Sequence, residues 1–284
     1  MKTSRDRQSA FNAASRGHWD AFAPHRAQIS ALLRLNERSD RTARLCVLGA
    51  GNLNDFDVAA TLLVYREVHL VDLDAEALAL AVARRGVSDR PGLFRHGGVD
   101  LTGMLDAMAS WGPLTPVHPP DLQALADWPA RRVAPTLPGP FDRVVSTCLL
   151  SQLIANARHS VGESHSAFPS IVQAIRLGHL RLLVELTAPG GEALLVTDAT
   201  STDLVPGLAS WPDESLGRRL VQIAREGRLF HGADPTAIRS LFHDDPELAT
   251  RVDRVEAVPP WKWRLHDRDY LVWALRLSRG SRLF

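Results

Sequence analysis

An α/β fold, built on a doubly wound and mostly parallel sheet that closes with an antiparallel hairpin strand, is what this sequence predicts. Three observations carry it. Short apolar runs alternate with helical stretches from residue 44 to about residue 200. The first run ends on the glycine-rich turn Leu48-Gly49-Ala50-Gly51-Asn52. The last two apolar runs are joined only by the polar link His266-Asp267-Arg268-Asp269. Strands separated by crossover helices pair in parallel, whereas a short link suits antiparallel neighbours.

The elements follow in order. Residues 1–40 read as helical, with Phe11, Trp19 and Phe22 in the first part and an amphipathic helix marked by Ile29, Leu32 and Leu33 after Pro24. They are expected to form an N-terminal cap on the domain of residues 41–284. Leu45-Cys46-Val47-Leu48 is the first buried strand, and a helix from Phe56 to Tyr65 follows with Asp55 as its cap. Glu67-Val68-His69-Leu70-Val71-Asp72 is a second strand that ends on an acid, before an Ala/Leu-rich helix from Ala75 to Arg85. Leu93 to Asp100 is a third strand. An insertion at about 102–140 contains a helix from Gly103 to Trp111, a proline-rich stretch and a short helix from Asp121 to Trp128.

Phe141 to Ser146 is the fourth strand, and a polar loop at 151–170 with His159 and His165 leads to a helix from Ile171 to Leu186. The turn Pro189-Gly190-Gly191 feeds the fifth strand, Glu192 to Asp198. A third insertion, at 201–232, carries a helix from Glu214 to Arg225, and Asp234-Pro235 starts another with proline where its missing N–H costs nothing. Val252 to Leu265 and Tyr270 to Leu277 complete seven strands.

Composition narrows the class. The 284 residues are 45% hydrophobic and 23% charged, ordinary for a globular chain large enough for one sizeable core. No apolar run approaches the roughly 20 residues that span a bilayer, and the first thirty residues lack a signal-peptide core, so a cytoplasmic protein without membrane attachment is expected. The formal charge of +1 gives no electrostatic footprint for nucleic acid. Lysine occurs only at Lys2 and Lys262 while arginine is abundant, a bias expected of a GC-rich bacterial genome. Cys46 and Cys148 sit in apolar stretches and read as buried, reduced thiols.

In such sheets a ligand binds beyond the carboxyl ends of the strands, where the strand order reverses. The turn at Gly49 and Gly51 lets the backbone approach a ligand, and Asp72, about twenty residues on, can accept hydrogen bonds from both hydroxyls of a ribose. A dinucleotide site asks for a third glycine where Asn54 stands, and Asp55 beside it would repel a pyrophosphate. A cofactor with a cationic sulfonium and amine is compatible with that carboxylate.

Five segments, in order, resemble the class I S-adenosylmethionine-dependent methyltransferase family. They are Val47-Leu48-Gly49-Ala50-Gly51, Val71-Asp72-Leu73-Asp74, Val99-Asp100-Leu101, Phe141 to Leu150, and Leu186 to Leu195. The resemblance spans about residues 44–200 and implies a Rossmann-like seven-stranded fold that binds S-adenosylmethionine. It implies cofactor contacts from Gly49, Ala50, Gly51, Asn52, Asp72, Leu73, Asp100, Leu101 and Ser146, with Asp72 at the ribose and Asp100 at the adenine amino group. Asp74 competes with Asp72 but is better placed to cap the next helix. Asn52-Leu53-Asn54 departs from the family's small, glycine-containing run.

Methyl transfer to an oxygen or nitrogen of a small molecule is the activity implied, an in-line displacement that needs alignment and, for some acceptors, a base. Asp198 at the end of the fifth strand and His179 in the helix before it are the candidate bases. His159-x3-Glu163-x-His165 does not match a helical metal motif, and no metal is expected. Trp261 and Trp263, two apart on a strand, share a face and read as core. The motifs for amino-directed DNA methylation and for cytosine-5 methylation are absent. A nicotinamide-dependent oxidoreductase and a non-catalytic binding scaffold of the same fold are the competing readings. The acceptor and the oligomeric state are not readable.

Overall fold

The computed structural model describes residues 4–33, 42–265 and 267–281. The link residue His266 and the end of the predicted cap, residues 34–40, lie outside the described residues. Seven strands form one sheet: β1 (Arg44–Leu48), β2 (Glu67–Asp72), β3 (Leu93–Gly97), β4 (Phe141–Thr147), β5 (Thr187–Ser201), β6 (Val252–Leu265) and β7 (Arg268–Arg279). Their order is β3-β2-β1-β4-β5-β7-β6. The first five are parallel, while β7 runs antiparallel to both β5 and β6. The order reverses between β1 and β4, so the glycine turn after β1 stands where such sheets bind ligands.

Two apolar layers sandwich the sheet. On one face α2 (Ala23–Leu33), α3 (Val58–Val64) and α4 (Ala75–Arg84) pack through Ile29, Leu33, Val58, Leu78 and Val82 onto Leu45, Val47, Val68 and Leu70. On the other, α5 (Leu105–Ala109), α6 (Pro119–Trp128), α7 (Leu149–Val161) and α8 (Phe168–Leu186) cover Cys46, Leu48, Val144 and Leu195. That layer is extended by α9 (Leu216–Arg225), α10 (Pro235–Asp244) and α11 (Pro246–Arg251). Alternate residues of each strand face opposite layers, which is why the central strands read as unbroken apolar runs. Each fully buried Leu, Ile or Phe contributes about 1.5–3 kcal/mol to the sandwich. Cys46 and Cys148 fall in opposite layers, both buried and free.

Several boundaries move. The N-cap of α3 is Asp57, which accepts from the Ala60 N–H at 3.0 Å, and not Asp55, because the helix begins two residues later than Phe56. The expected polar loop at 151–170 is largely the helix α7; its buried Leu149, Leu150, Leu153, Ile154, Ala157 and Val161 make one face. His159 therefore stands on a helix, with Nδ1 at 2.7 Å from the Ala155 carbonyl. The Pro189-Gly190-Gly191 turn belongs to β5, whose pairing with β4 slips between Phe141 and Arg143. Proline does open α10, with Asp234 accepting from the Thr236 N–H.

Candidate functional site

The turn after β1 is fixed by the end of β2. Gly49 and Gly51 have φ of +76° and +45°, a left-handed backbone that costs a residue with Cβ. The N–H groups of Gly49 and Ala50 both donate to the Val71 carbonyl, at 2.9 and 3.1 Å. The Gly51 N–H donates to Asp72 Oδ2 at 2.7 Å, and the Asp74 N–H to Asp72 Oδ1 at 2.8 Å. Asp72 is only 4% exposed. Burial disfavours its charge more than these hydrogen bonds favour it, so its pKa is pushed up to about 6. Each of its oxygens retains a lone pair for a further donor. Asp74 does cap α4, accepting from the Ala77 N–H at 2.9 Å, which leaves Asp72 as the acid that faces the turn.

Asp100 is turned into its own loop. Its Oδ1 accepts from Thr102 N–H and Oγ1, and its Oδ2 from the Leu105 N–H at 2.8 Å. A carboxylate offers about four acceptor positions, so one remains on Oδ2. Leu101 is buried in the layer of α5 to α8, and Leu73 packs partly buried against that layer. Ser146 and His179 meet inside it: Ser146 Oγ lies 2.8 Å from His179 Nε2. His179 is 1% exposed, and burial drives its pKa down to about 4. It is a neutral packing residue there, and the Ser146 hydroxyl is committed to it.

The helix α1 (Ser4–Ser15) lies over the turn. Asn52 donates to the Asn12 carbonyl at 2.6 Å and to Ser15 Oγ at 2.9 Å. Asn54 donates to the Ser15 carbonyl, and Asn12 donates to Asp74 Oδ2 at 3.1 Å. Asn52 thus holds α1.

A second polar group gathers past the end of β4, around Asp198, which lies within β5 because that strand runs on to Ser201 and not, as expected, only to Asp198. Asp198 accepts from Ser151 Oγ at 2.5 Å, the length of a charge-assisted hydrogen bond, and burial raises its pKa. On the same face, the row Asp198–Val272–Trp261 crosses β5, β7 and β6. Trp261 Nε1 donates to His25 Nδ1 at 3.1 Å. Indole nitrogen only donates, so the ring hydrogen of neutral His25 sits on Nε2. Nε2 lies 3.3 Å from Asp55 Oδ1. His25 is fully buried and stacks on Trp263 with ring centroids 4.5 Å apart. Trp261 and Trp263 are both buried in one layer, as their spacing indicates.

The sequence reading missed Asn12, Ser15, His25 and Ser151. Only Ser151, four residues beyond the end of β4, carried a positional signal; the others reach the site across tertiary contacts.

His165 is bound by Thr115 and Ala167, and Glu163 by His231. Among the described residues no group of three His, Cys, Asp or Glu is arranged to hold a metal ion. No described helix is long and apolar enough to cross a membrane. A surface cavity of about 340 Å³, lined by Pro120, Gln123, Asp127, Trp128, Arg131 and Arg132, lies on α6 and the π-turn after it, away from the glycine turn.

No protein-family model matches this chain, and no curated protein matches it. Among solved structures, it is similar to the N-methyltransferase NodS from Bradyrhizobium japonicum WM9 in complex with S-adenosyl-L-homocysteine, at 15% identity over 90% of this chain and 87% of that one, with a TM-score of 0.43. An O-methyltransferase family protein from Burkholderia thailandensis shows 13% identity over 99% of this chain and 64% of its own, with a TM-score of 0.45. A putative methyltransferase from Bacillus halodurans shows 9% identity over 90% and 98%, with a TM-score of 0.43. By its own strand order, with β7 antiparallel between β5 and β6, this chain has the Rossmann-like fold of class I methyltransferases.

Proposed function

We propose that the chain binds S-adenosylmethionine at the turn after β1 and transfers its methyl group to a small molecule. The observation that carries the reading is the buried Asp72 carboxylate, held by the Gly51 and Asp74 N–H groups at the end of β2 and keeping one lone pair on each oxygen. An acid so placed fits the two hydroxyls of a ribose. The open acceptor position on Asp100 fits the adenine amino group, and Leu73 and Leu101 supply apolar surface beside it.

The bound sulfonium supplies an activated methyl and its own leaving group. The chain's part is to bind, orient and exclude water. Gly49, Ala50 and Gly51 bring backbone close to the ligand, and α1 covers the turn. Asp198 is the proposed proton acceptor, with its oxygen positioned by Ser151; His179, sealed in the core and neutral, is not. Asp55, within reach of the turn, disfavours a pyrophosphate.

Isothermal titration of the full chain with S-adenosylhomocysteine and with NAD separates this from the oxidoreductase reading. Micromolar binding of the first and none of the second is expected. Binding of NAD alone would overturn the proposal.

A further inference from the structure

Two carboxylates, Asp55 and Asp198, stand on the two sides of the β4 end. Both act on the thiol of Cys148, the residue after this strand, which burial first and then their charges hold well above its usual range. Among the described ion pairs, no lysine or arginine touches either one; their near partners are the Ser151 hydroxyl and His25, with the Arg26 guanidinium acting on Asp55 from farther off. The glycine turn is next door, since a Cβ on Gly49 would sit 3.2 Å from Leu149 Cβ.

The same place holds donors without acceptors. His25 Nε2 is fully buried and carries the ring hydrogen, yet at 3.3 Å from Asp55 it is not aligned for a hydrogen bond. Trp263, whose ring stacks against His25, is 7% exposed, and its Nε1 is buried without a partner. Buried N–H groups without partners are rare in folded chains and call for an explanation. Carboxylates with no lysine or arginine in contact suit one half of a ligand, a cation; two idle N–H groups suit the other, an acceptor oxygen.

Resting on the methyl-transfer reading above, we infer that the methyl acceptor is an amine carrying a nearby hydroxyl or carbonyl oxygen, with its nitrogen between Asp55 and Asp198 and its oxygen facing His25 Nε2 and Trp263 Nε1. The ammonium gives one proton to Asp198. The freed lone pair forms the N–C bond to the methyl as the cofactor's S–C bond breaks, and the sulfonium charge passes to the methylated ammonium. Asp198 then returns its proton to solvent. Burial raises the pKa of Asp198, which makes it a stronger base than an exposed aspartate. Tyr270, 5.3 Å from Trp263 between ring centroids, is part of the aromatic wall.

The test uses the full chain saturated with S-adenosylhomocysteine and three probes of one shape: 2-amino-1-phenylethanol, 2-phenylethylamine and 1-phenylethanol. Binding is read by calorimetry and by the Trp263 indole N–H resonance. The expected order is amino alcohol, then amine, then alcohol, with the amine group worth at least about tenfold in affinity and the indole resonance moved by the two oxygen-bearing probes. Asp198→Asn and Asp55→Asn, each isosteric and each read on the chain saturated with S-adenosylhomocysteine, should remove most of the amine preference. Equal binding of the three probes, no binding of any, or an amine preference intact in both variants would overturn the inference. Failure of S-adenosylhomocysteine itself to bind would instead strike the methyl-transfer reading.

Discussion

The ionisation of Asp72 should set the pH dependence of cofactor binding. Its pKa rises from 3.8 to about 6 on folding because burial outweighs the Gly51 and Asp74 N–H bonds. At 1.36 kcal/mol per pKa unit, that rise corresponds to roughly 3 kcal/mol. The folded chain binds this proton more tightly than the unfolded chain does. Stability from this group is therefore lost as pH climbs through about 4 to 6, and stays lost at neutral pH. Ribose hydroxyls that donate to Asp72 prefer its charged form, so ligand binding recovers part of what burial costs. Affinity for S-adenosylhomocysteine should then track the ionised fraction, about tenfold weaker at pH 5 than at pH 8. Asp72→Asn removes the charge and one of the two acceptor oxygens. With two charge-assisted bonds at about 1.5–3 kcal/mol each weakened, affinity at pH 8 should drop on the order of 100-fold. The pH profile of this variant should be flat; its amide nitrogen would face one of the two N–H groups that Asp72 accepts, which offsets the relief of the buried charge in its melting temperature. Calorimetric titration of both proteins from about pH 5 to pH 8 decides it. A flat wild-type profile, or the same slope in Asp72→Asn, would refute the reasoning.

Two further outcomes test the core that positions the site. His179, with its pKa held down to about 4 by burial, stays neutral in the fold while the unfolded chain protonates near 6.5. It contributes stability that is fully present above pH 6.5 and lost as pH falls to about 4, up to roughly 3 kcal/mol and opposite in sign to Asp72. Urea titrations should show His179→Gln with a shallower acid loss than the wild type; equal acid slopes would remove His179 as the cause. Gly178 lies where α8 crosses α6, and a Cβ there would overlap the Leu125 carbonyl oxygen. Gly178→Ala should cost about 2 kcal/mol or more in stability, since a backbone atom cannot move aside as a side chain can. A variant that melts with the wild type would contradict the packing described.

What was legible in the sequence is what local chemistry fixes. The end of β1 was readable because an apolar run stops on Gly49, and the end of β2 because a run stops on Asp72. Asp74 was readable as a cap because the side chain three residues before Ala77 is close enough to accept its N–H. The helix α7 was misread as a loop because Ser151, Gln152, Asn156 and Arg158 dominate its composition, although Leu149, Leu150, Leu153, Ile154, Ala157 and Val161 keep helical spacing. The extension of β5 was hidden by Pro189-Gly190-Gly191, which reads as a turn; only pairing of Thr187 with Phe141 makes it strand. His25 could not be read as a site residue at all. Its hydrogen-bond partner Trp261 is 236 residues away, and nothing nearby in the chain distinguishes it from a surface histidine.

The N-terminal segment divides into two parts with different energetics. The helix α2 is anchored: Ile29, Leu33 and the preceding Phe22 are buried in the apolar layer, and His25 is stacked among the tryptophans. The helix α1 is not. Its buried residues are Ser4 and Asn12, and Phe11 is 67% exposed. What binds α1 is polar: hydrogen bonds from Asn52, Asn54, Asn12 and Ser9, each worth only about 0.5–1.5 kcal/mol net because water offers the same bonds, and the exposed Arg5–Asp106 ion pair. Trp19 marks the boundary, with the guanidinium groups of Arg26 and Arg85 3.4 and 3.3 Å from its ring centroid. Elements held by few apolar contacts open at free energies well below global unfolding. Asn12 also stands at the ligand face of the turn, since a Cβ on Gly51 would meet its Oδ1 at 3.4 Å and Asp72 Oδ2 at 3.8 Å. On the cofactor reading, a ribose at Asp72 would adjoin Asn12, and the polar character of α1 keeps any rearrangement of this helix within the reach of a ligand's binding energy.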